Sequence, residues 1–379
     1  MTPILPGSTL GILGSGQLGR MFALEAKRMG YRVHTFSPEK DSPTGQVADL
    51  EFIGSYEDVA SAREFAKGVD VVTFEFENIS SDVAKALEQI VPTRPNARSL
   101  HIAQNRLREK TFLKYHKFPV TPFAKVDSEN AVLRAASDLG LPLVLKTAGF
   151  GYDGKGQSIV RTPEEAIAAF KKMDVEEAIA EKFIQFDFEI SVVAARGLSG
   201  DFAAYPAVHN THRNHVLDVT IAPATLNPSL EKEAREITKG VMEQLDYVGT
   251  LCIEFFVTSE AKLLINEMAP RPHNSGHWTI DACVTNQFEQ QVRAICGLPL
   301  GSTEQFKPAA MLNLLGDIWS NGEPEWSKVL EDPDAKLHLY GKKDARAGRK
   351  MGHITVTAST SDEAKQKVLR LKHILGIQT

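Results

Sequence analysis

The chain has 379 residues, 42% hydrophobic and 24% charged, which is ordinary composition for a soluble protein with room for two or three cores. A formal net charge of −5 supplies no field for nucleic acid or anionic membrane, so any anionic ligand must be held by local basic clusters. There is no apolar run of about 18 residues and no signal-like N-terminus, and Cys252, Cys283 and Cys296 lack metal or disulfide spacing, so a reduced, cytoplasmic protein with no membrane or nucleic-acid partner is expected.

Residues 1–97 alternate short apolar strands (9–13, 31–36, 50–53, 69–74) with helical stretches (17–29, 58–67, 81–89). Continuous apolar strands in that pattern predict a parallel sheet covered on both faces, a Rossmann-like α/β domain. Gly14-Ser-Gly-Gln-Leu-Gly19 after the first strand matches G-x-G-x-x-G. It suits either a phosphate at a helix N-terminus or a tight turn with close packing. The second strand ends Phe36-Ser37-Pro38 with no acidic residue at its tip, so the usual partner of a dinucleotide ribose is missing. Pro92, Pro95 and Asn96 break the alternation, and a basic helical stretch, 105–117, leads out of the domain.

Residues 98–305 read as an α+β domain containing a glycine-loop subdomain at about 118–185. A strand at 123–126, a helix at 129–139 and the strand into Lys146 are followed by a loop with four glycines from Gly149 to Gly156. Strand 158–161, helix 163–172, β-rich runs at 178–183, 188–196 and 203–209, helix 229–245, strands 250–257 and 262–266, and helix 287–295 complete the domain. Residues 306–379 form a small β-rich closing unit ending in a helix, 361–375, with Ser361 as its N-cap.

The glycine loop is the most informative segment. Glycines at that density bring backbone N–H groups close to an anion, and Lys146 and Lys155 add charge. No Ser or Thr follows Lys155, so it is not a Walker loop, and a plain hairpin is the alternative. Glu254 and Glu267 sit on apolar strands expected to pair around Ser259, where carboxylates are costly unless a cation compensates them. Such oxygens suit Mg²⁺, with Asn266 as a neutral addition; edge-strand glutamates facing solvent are the alternative. Arg271, between two prolines, and His273 follow directly, a guanidinium clamp for carboxylate, bicarbonate or phosphate. Gly341 to Gly352 holds five basic residues and three glycines without an aromatic, which favours a phosphate cradle over stacking on bases.

A glycine loop after a lysine-bearing strand, with acidic residues on late strands ending Asn266-Glu267, resembles the ATP-grasp superfamily. Gly14-Ser-Gly-Gln-Leu-Gly-Arg-Met21, Phe74-Glu-Phe-Glu-Asn78, Gly151-Tyr-Asp-Gly-Lys-Gly-Gln157, Met268-Ala-Pro-Arg-Pro-His-Asn-Ser-Gly276 and Gly348-Arg-Lys-Met-Gly-His353 are, more narrowly, similar to the 5-(carboxyamino)imidazole ribonucleotide synthetase family, across essentially the whole chain. The resemblance implies ATP- and bicarbonate-dependent carboxylation of the exocyclic amine of 5-aminoimidazole ribonucleotide through carboxyphosphate, in de novo purine synthesis. It also implies a homodimer, coupled to or fused with the mutase that follows in the pathway.

By the same resemblance, Arg106 (with Arg108 and Lys110 as rivals) and Lys146 contact ATP phosphates beneath a lid of Gly151, Tyr152, Asp153, Gly154, Lys155, Gly156 and Gln157. Glu181, Lys182, Phe183 and Ile184 meet the adenine edge, Glu189 the ribose, and His212 the nucleotide. Glu254 and Glu267, with Asn266, hold Mg²⁺, for which Mn²⁺ can substitute. Arg271, His273 and Asp153 are the expected catalytic residues. Gln17, Glu75, Tyr152 and Asp153 lie near the acceptor's ring and ribose, and Lys342, Arg349 and Lys350 take its phosphate, with Lys343 equally placed. Another ATP-grasp ligase, such as a formate-dependent glycinamide ribonucleotide transformylase or a biotin carboxylase, is the first rival, and a dinucleotide-binding dehydrogenase or sensor the second.

Overall fold

Four parallel strands open the chain: β1 (Thr9–Leu13), β2 (Arg32–Ser37), β3 (Leu50–Ile53) and β4 (Val71–Phe74), in the order β3-β2-β1-β4. The structure is a computed structural model describing residues 2–149 and 156–377. β1 and β4 are buried along their whole length, as strands covered on both faces must be. Helix Gln17–Arg28 covers one face with Leu18, Met21, Phe22 and Ala26, and packs there against Phe288 and Val292 of helix Gln287–Cys296. Helices Val59–Ala66 and Ser81–Glu88 cover the other through Phe65, Val83 and Leu87; Asp58 caps the first of these by accepting the Ala60 and Ser61 amides.

The glycine-loop subdomain is an antiparallel sheet of β5 (Phe123–Val126), β6 (Leu143–Thr147), β7 (Gln157–Val160) and β8 (Ala178–Lys182), in the order β5-β8-β6-β7. Helices Glu129–Leu139 and Pro163–Met173 supply its core with Val132, Ala135 and Ala166. Lys146 stands opposite Gln157 in the β6–β7 register, so the glycine segment connects two neighbouring antiparallel strands.

The rest of the chain forms one nine-stranded sheet. Its strands are β9 (Phe188–Arg196), β10 (Phe202–Ala204), β11 (Val208–Arg213), β12 (Val216–Ala222), β13 (Gly249–Val257), β14 (Leu263–Ala269), β15 (Ala309–Leu315), β16 (Ala335–Leu339) and β17 (Lys350–Thr357). They run β14-β13-β9-β11-β12-β15-β17-β16, with β10 on β9. The closing unit thus has no sheet of its own: β15 pairs with β12 from Val219↔Leu312 to Ala222↔Ala309 and carries β16 and β17 outward. Its core is mostly its own, with Leu312, Ile354 and Val356 packed under Val368 and Leu371 of helix Ser361–Ile374, joined by Val219 of β12. The cap of that helix corrects the sequence expectation. Thr360, not Ser361, accepts the Glu363 amide, because Thr360 is the residue three before Glu363.

Candidate active site

All three parts of the fold face one cleft of about 680 Å³. The parallel domain contributes Gln17, Glu75 and Glu77; the glycine-loop sheet contributes Lys146 and Glu181. β14 and the loop after it bring Asn266, Glu267, Arg271 and His273, and the closing unit brings Lys342, Arg349 and Lys350. Arg106 enters from the start of helix Arg106–Tyr115, which Asn105 caps. These residues span most of the chain, so the cleft is a product of tertiary folding alone.

The first glycine motif already holds a carboxyl group. Glu75, at the tip of β4, accepts the amide of Gly16 at 2.5 Å and that of Gly19 at 2.7 Å. A Cβ on Gly14 would stand 2.2 Å from Glu75 Cγ, so that glycine is needed for the carboxylate's approach. Burial pushes the Glu75 carboxyl up, opposed by the two amides. Of the two readings of this motif, a phosphate site or a tight turn with close packing, the structure shows the close packing, with the protein's own Glu75 at the helix N-terminus.

On the glycine-loop side, Lys146 pairs with Glu181 at 2.8 Å. Lys110 lies 3.8 Å from the other oxygen of Glu181 and donates to the carbonyls of Ile265 (3.0 Å) and Asn266 (2.7 Å). Burial raises the Glu181 carboxyl, but the two lysines outweigh it and hold the group below its usual range. Arg106 donates to the Thr147 carbonyl at 3.0 Å. Along the expected adenine edge, Glu181 points into this cluster, Lys182 and Phe183 are exposed, Ile184 is half-buried, and those three do not line the cleft. Gln157 lies apart as well, 3.2 Å from His215 on the β11–β12 turn. Gly151, Tyr152, Asp153, Gly154 and Lys155 lie outside the described residues, while Gly156 takes φ +71°.

Glu254 and Glu267 face each other in the β13–β14 register. Burial, and then Glu267, push the Glu254 carboxyl up to about 8. Two adjacent carboxylates, one buried, are a donor set that fits a hard divalent cation. Glu189 and His212 are 3.0 Å apart and share a compact group with Glu254, all three offering ligand atoms within 4.8 Å of one another. Burial lowers the His212 imidazole, but its bond to Glu189 outweighs that and raises it.

Arg271 is held as a fork by Glu77, Nε to Oε2 at 2.7 Å and Nη2 to Oε1 at 2.9 Å. Burial raises the Glu77 carboxyl, and Arg271 more than cancels this, holding it below the usual range. Glu75 and Glu267 also act on Arg271, from the parallel domain and from β14. His273 is fixed through its backbone by Gln287, which accepts its amide at 2.9 Å and donates to its carbonyl at 2.8 Å. Burial, reinforced by Arg271, drives the His273 imidazole well below its ordinary range.

The basic loop resolves its two lysines. Lys342 lines the cleft, donates to the Lys350 carbonyl at 2.6 Å, and is lowered to about 8 by burial and then by Arg349. Lys343 turns away to Asp41 at 2.5 Å. Among the cleft residues not singled out as site residues from the sequence are Glu77, Glu109, Lys110 and Asn274. Glu77 lies inside a quoted motif, Lys110 was weighed only as a rival of Arg106, and Asn274 belongs to the loop of Arg271. The Asn274 Nδ2 is buried with no partner among the described residues. Glu109 carried no signal; it is buried, and burial raises it to about 8.

A second group, Asp281, His338 and His353, also brings ligand atoms within 4.8 Å. The two imidazoles are stacked at 4.4 Å and 10°, so their in-plane lone pairs run side by side and do not converge on one ion.

Residues 8–104 match the ribonucleotide synthetase preATP-grasp domain, residues 111–288 the ATP-grasp domain, and residues 309–367 the phosphoribosylaminoimidazole carboxylase C-terminal domain. The chain is 42% identical over 369 residues to N5-carboxyaminoimidazole ribonucleotide synthase of Bacillus subtilis (strain 168), covering 96% of this chain and 95% of that one. Its fold is similar to an ADP complex of N5-carboxyaminoimidazole ribonucleotide synthetase, with TM-score 0.94, 42% identity and full coverage of both chains (100% and 100%). It is also similar to the Aspergillus clavatus enzyme in complex with ADP and 5-aminoimidazole ribonucleotide, with TM-score 0.90, 29% identity and coverage of 97% and 98%.

Proposed function

The chain belongs to the N5-carboxyaminoimidazole ribonucleotide synthase family of ATP-grasp enzymes, and from that membership we propose how its residues divide the work. The enzyme is an ATP-dependent ligase that carboxylates 5-aminoimidazole ribonucleotide to N5-carboxyaminoimidazole ribonucleotide in purine biosynthesis. We assign the carboxyl source to bicarbonate, activated as carboxyphosphate. The reaction then needs two phosphate-bearing ligands and a small anion in one cleft, and its catalysis is mostly positioning and charge neutralisation.

The observation that carries the assignment is Arg271. It is locked by Glu77 and lies within electrostatic reach of both Glu75 and Glu267. In this reading Lys146 and Arg106 bind ATP phosphates, the backbone at 182–184 meets the base, and Glu189 with His212 takes the ribose. Glu254 and Glu267 hold Mg²⁺, which supplies neutralisation of phosphate charge when bound. Gln17 and Glu75 orient the acceptor, Lys342, Arg349 and Lys350 bind its phosphate, and Arg271 with His273 hold bicarbonate. A lid containing Tyr152 and Asp153 belongs to the same proposal, as do a homodimer, a cytoplasmic location and coupling to the following mutase.

No described helix is long and apolar enough to cross a membrane. Turnover with oxygen-18 bicarbonate tests the core of the reading: one label should pass into inorganic phosphate for each product formed. Unlabelled phosphate with full carboxylation would overturn the carboxyphosphate step.

A further inference from the structure

His273 ends a chain of hydrogen bonds that the reaction itself does not explain. Its Nδ1 lies 2.9 Å from Ser275 Oγ, which lies 2.7 Å from Ser191 Oγ on β9. Ser191 Oγ lies 2.9 Å from Asn210 Nδ2 on β11, and Asn210 Oδ1 lies 2.9 Å from Thr220 Oγ1 on β12. Ser191, Ser275 and Thr220 have no exposed surface and Asn210 has 4%. Hydroxyls and amides can be reversed, so such a chain could in principle run in either direction.

One donor in it cannot be reversed. The backbone N–H of Ser275 points at His273 Nδ1 at 3.4 Å, with the imidazole capping the short turn Asn274–Gly276. A hydrogen on Nδ1 would face that N–H, so Nδ1 must accept. The rest follows in order. Ser275 gives its hydroxyl proton to Nδ1, Ser191 gives its own to Ser275, and the Asn210 amide donates to Ser191. Thr220 then donates to Asn210 Oδ1. Cys252 Sγ, 3.7 Å from Ser275 Oγ, offers only a weak alternative acceptor.

We infer that the Ser275 backbone N–H and the Ser275–Ser191–Asn210–Thr220 chain together hold His273 as its Nε2–H tautomer, so that His273 meets the carboxylating anion as a hydrogen-bond donor and does not take the proton of the attacking amine. Nε2, the other ring nitrogen, lies 3.7 Å from Glu254 Oε1, and His273 lines the cleft. The part about the anion rests on the role given to His273 in the proposed function. The part about the tautomer does not. Ser275 and Ser191 are then positioning residues, acting on the reaction through His273. An N–H donor already aimed where anionic charge gathers needs no reorganisation during the reaction.

The test reads the tautomer directly, on substrate-free protein with nitrogen-15 histidine, the His273 signals being those lost in His273→Gln. Long-range proton–nitrogen correlation should show a protonated Nε2 and an accepting Nδ1 in the wild type. A protonated Nδ1 would overturn the inference and leave the proposed function standing. Ser275→Ala keeps the backbone N–H and so the accepting Nδ1, but removes the 2.9 Å hydroxyl contact that steadies the ring, and should lower kcat without changing KM for ATP; an unchanged kcat would remove the chain's role. Glutamine can place an amide N–H where Nε2–H stands, whereas asparagine places it nearer Nδ1. His273→Gln should therefore keep kcat within roughly 10-fold, and His273→Asn should lose roughly 10²-fold or more, the scale of one lost charge-stabilising donor. Equal losses in the two variants would overturn the donor role.

Discussion

Glu77→Gln is the perturbation that most sharply probes how Arg271 is held. Glutamine has the same shape and keeps one acceptor oxygen, so it removes one bond of the fork and the negative charge beneath it. A hydrogen bond to a charged group is worth about 1.5–3 kcal/mol. The two side chains are 20% and 27% exposed, so water screens part of the charge, and the lower half of that range applies. If about 1.4–2 kcal/mol of positioning is lost from the transition state, kcat/KM for the aminoimidazole nucleotide falls by roughly 10- to 30-fold. Coupled measurement of ADP release at saturating ATP gives that ratio, and urea unfolding of the same variant checks that the fold is retained. Wild-type kcat/KM in a normally folded Glu77→Gln would refute the positioning role. Weaker ATP binding with unchanged kcat would move Arg271 to the ATP side of the cleft.

Other predictions rest on single groups. Glu267→Gln removes a proposed cation ligand from an exposed strand position and should abolish turnover with the unfolding midpoint unchanged, measured by product formation and urea denaturation. Lys342→Met should raise KM for the aminoimidazole nucleotide at least tenfold by roughly the loss of one charge-assisted bond, whereas Lys343→Met, which breaks only the contact with Asp41, should leave steady-state kinetics unaltered. Glu109 is raised by burial to about 8, against 4.5 for the ordinary carboxyl. The folded chain keeps that proton while the unfolded chain loses it, so its contribution is fully present below about pH 4.5 and is lost as pH rises toward about 8. Glu109→Gln should therefore gain on the wild type across that window, by at most about 1.4 kcal/mol per pH unit, seen in denaturation midpoints at several pH values.

Most of the cleft was legible in the sequence because its chemistry is local. Lys146 ends an apolar strand, Asn266-Glu267 closes another, and Arg271 and His273 sit in one proline-bracketed loop. What escaped was carried by partners distant in the chain. Glu77 is explained only by Arg271, 194 residues later, and Lys110 by the Asn266 carbonyl, 156 residues later. Glu75 was read as a substrate contact, but its tie to Gly16 and Gly19 depends on β1 and β4 lying side by side. The continuation of the large sheet into β15 was invisible for a related reason. A strand joining an existing sheet shows the same buried pattern as one starting a new sheet, and only the β12–β15 register separates them. The cap of the last helix failed on a shift of one residue, the usual uncertainty of a helix boundary.

ADP release with 5-aminoimidazole ribonucleotide, glycinamide ribonucleotide or biotin as the acceptor, each with ATP, Mg²⁺ and bicarbonate, tests the whole reading most directly. Release that depends on 5-aminoimidazole ribonucleotide, matched by formation of the carboxylated nucleotide, is the predicted result. Turnover with either of the other acceptors and none with this one would contradict it.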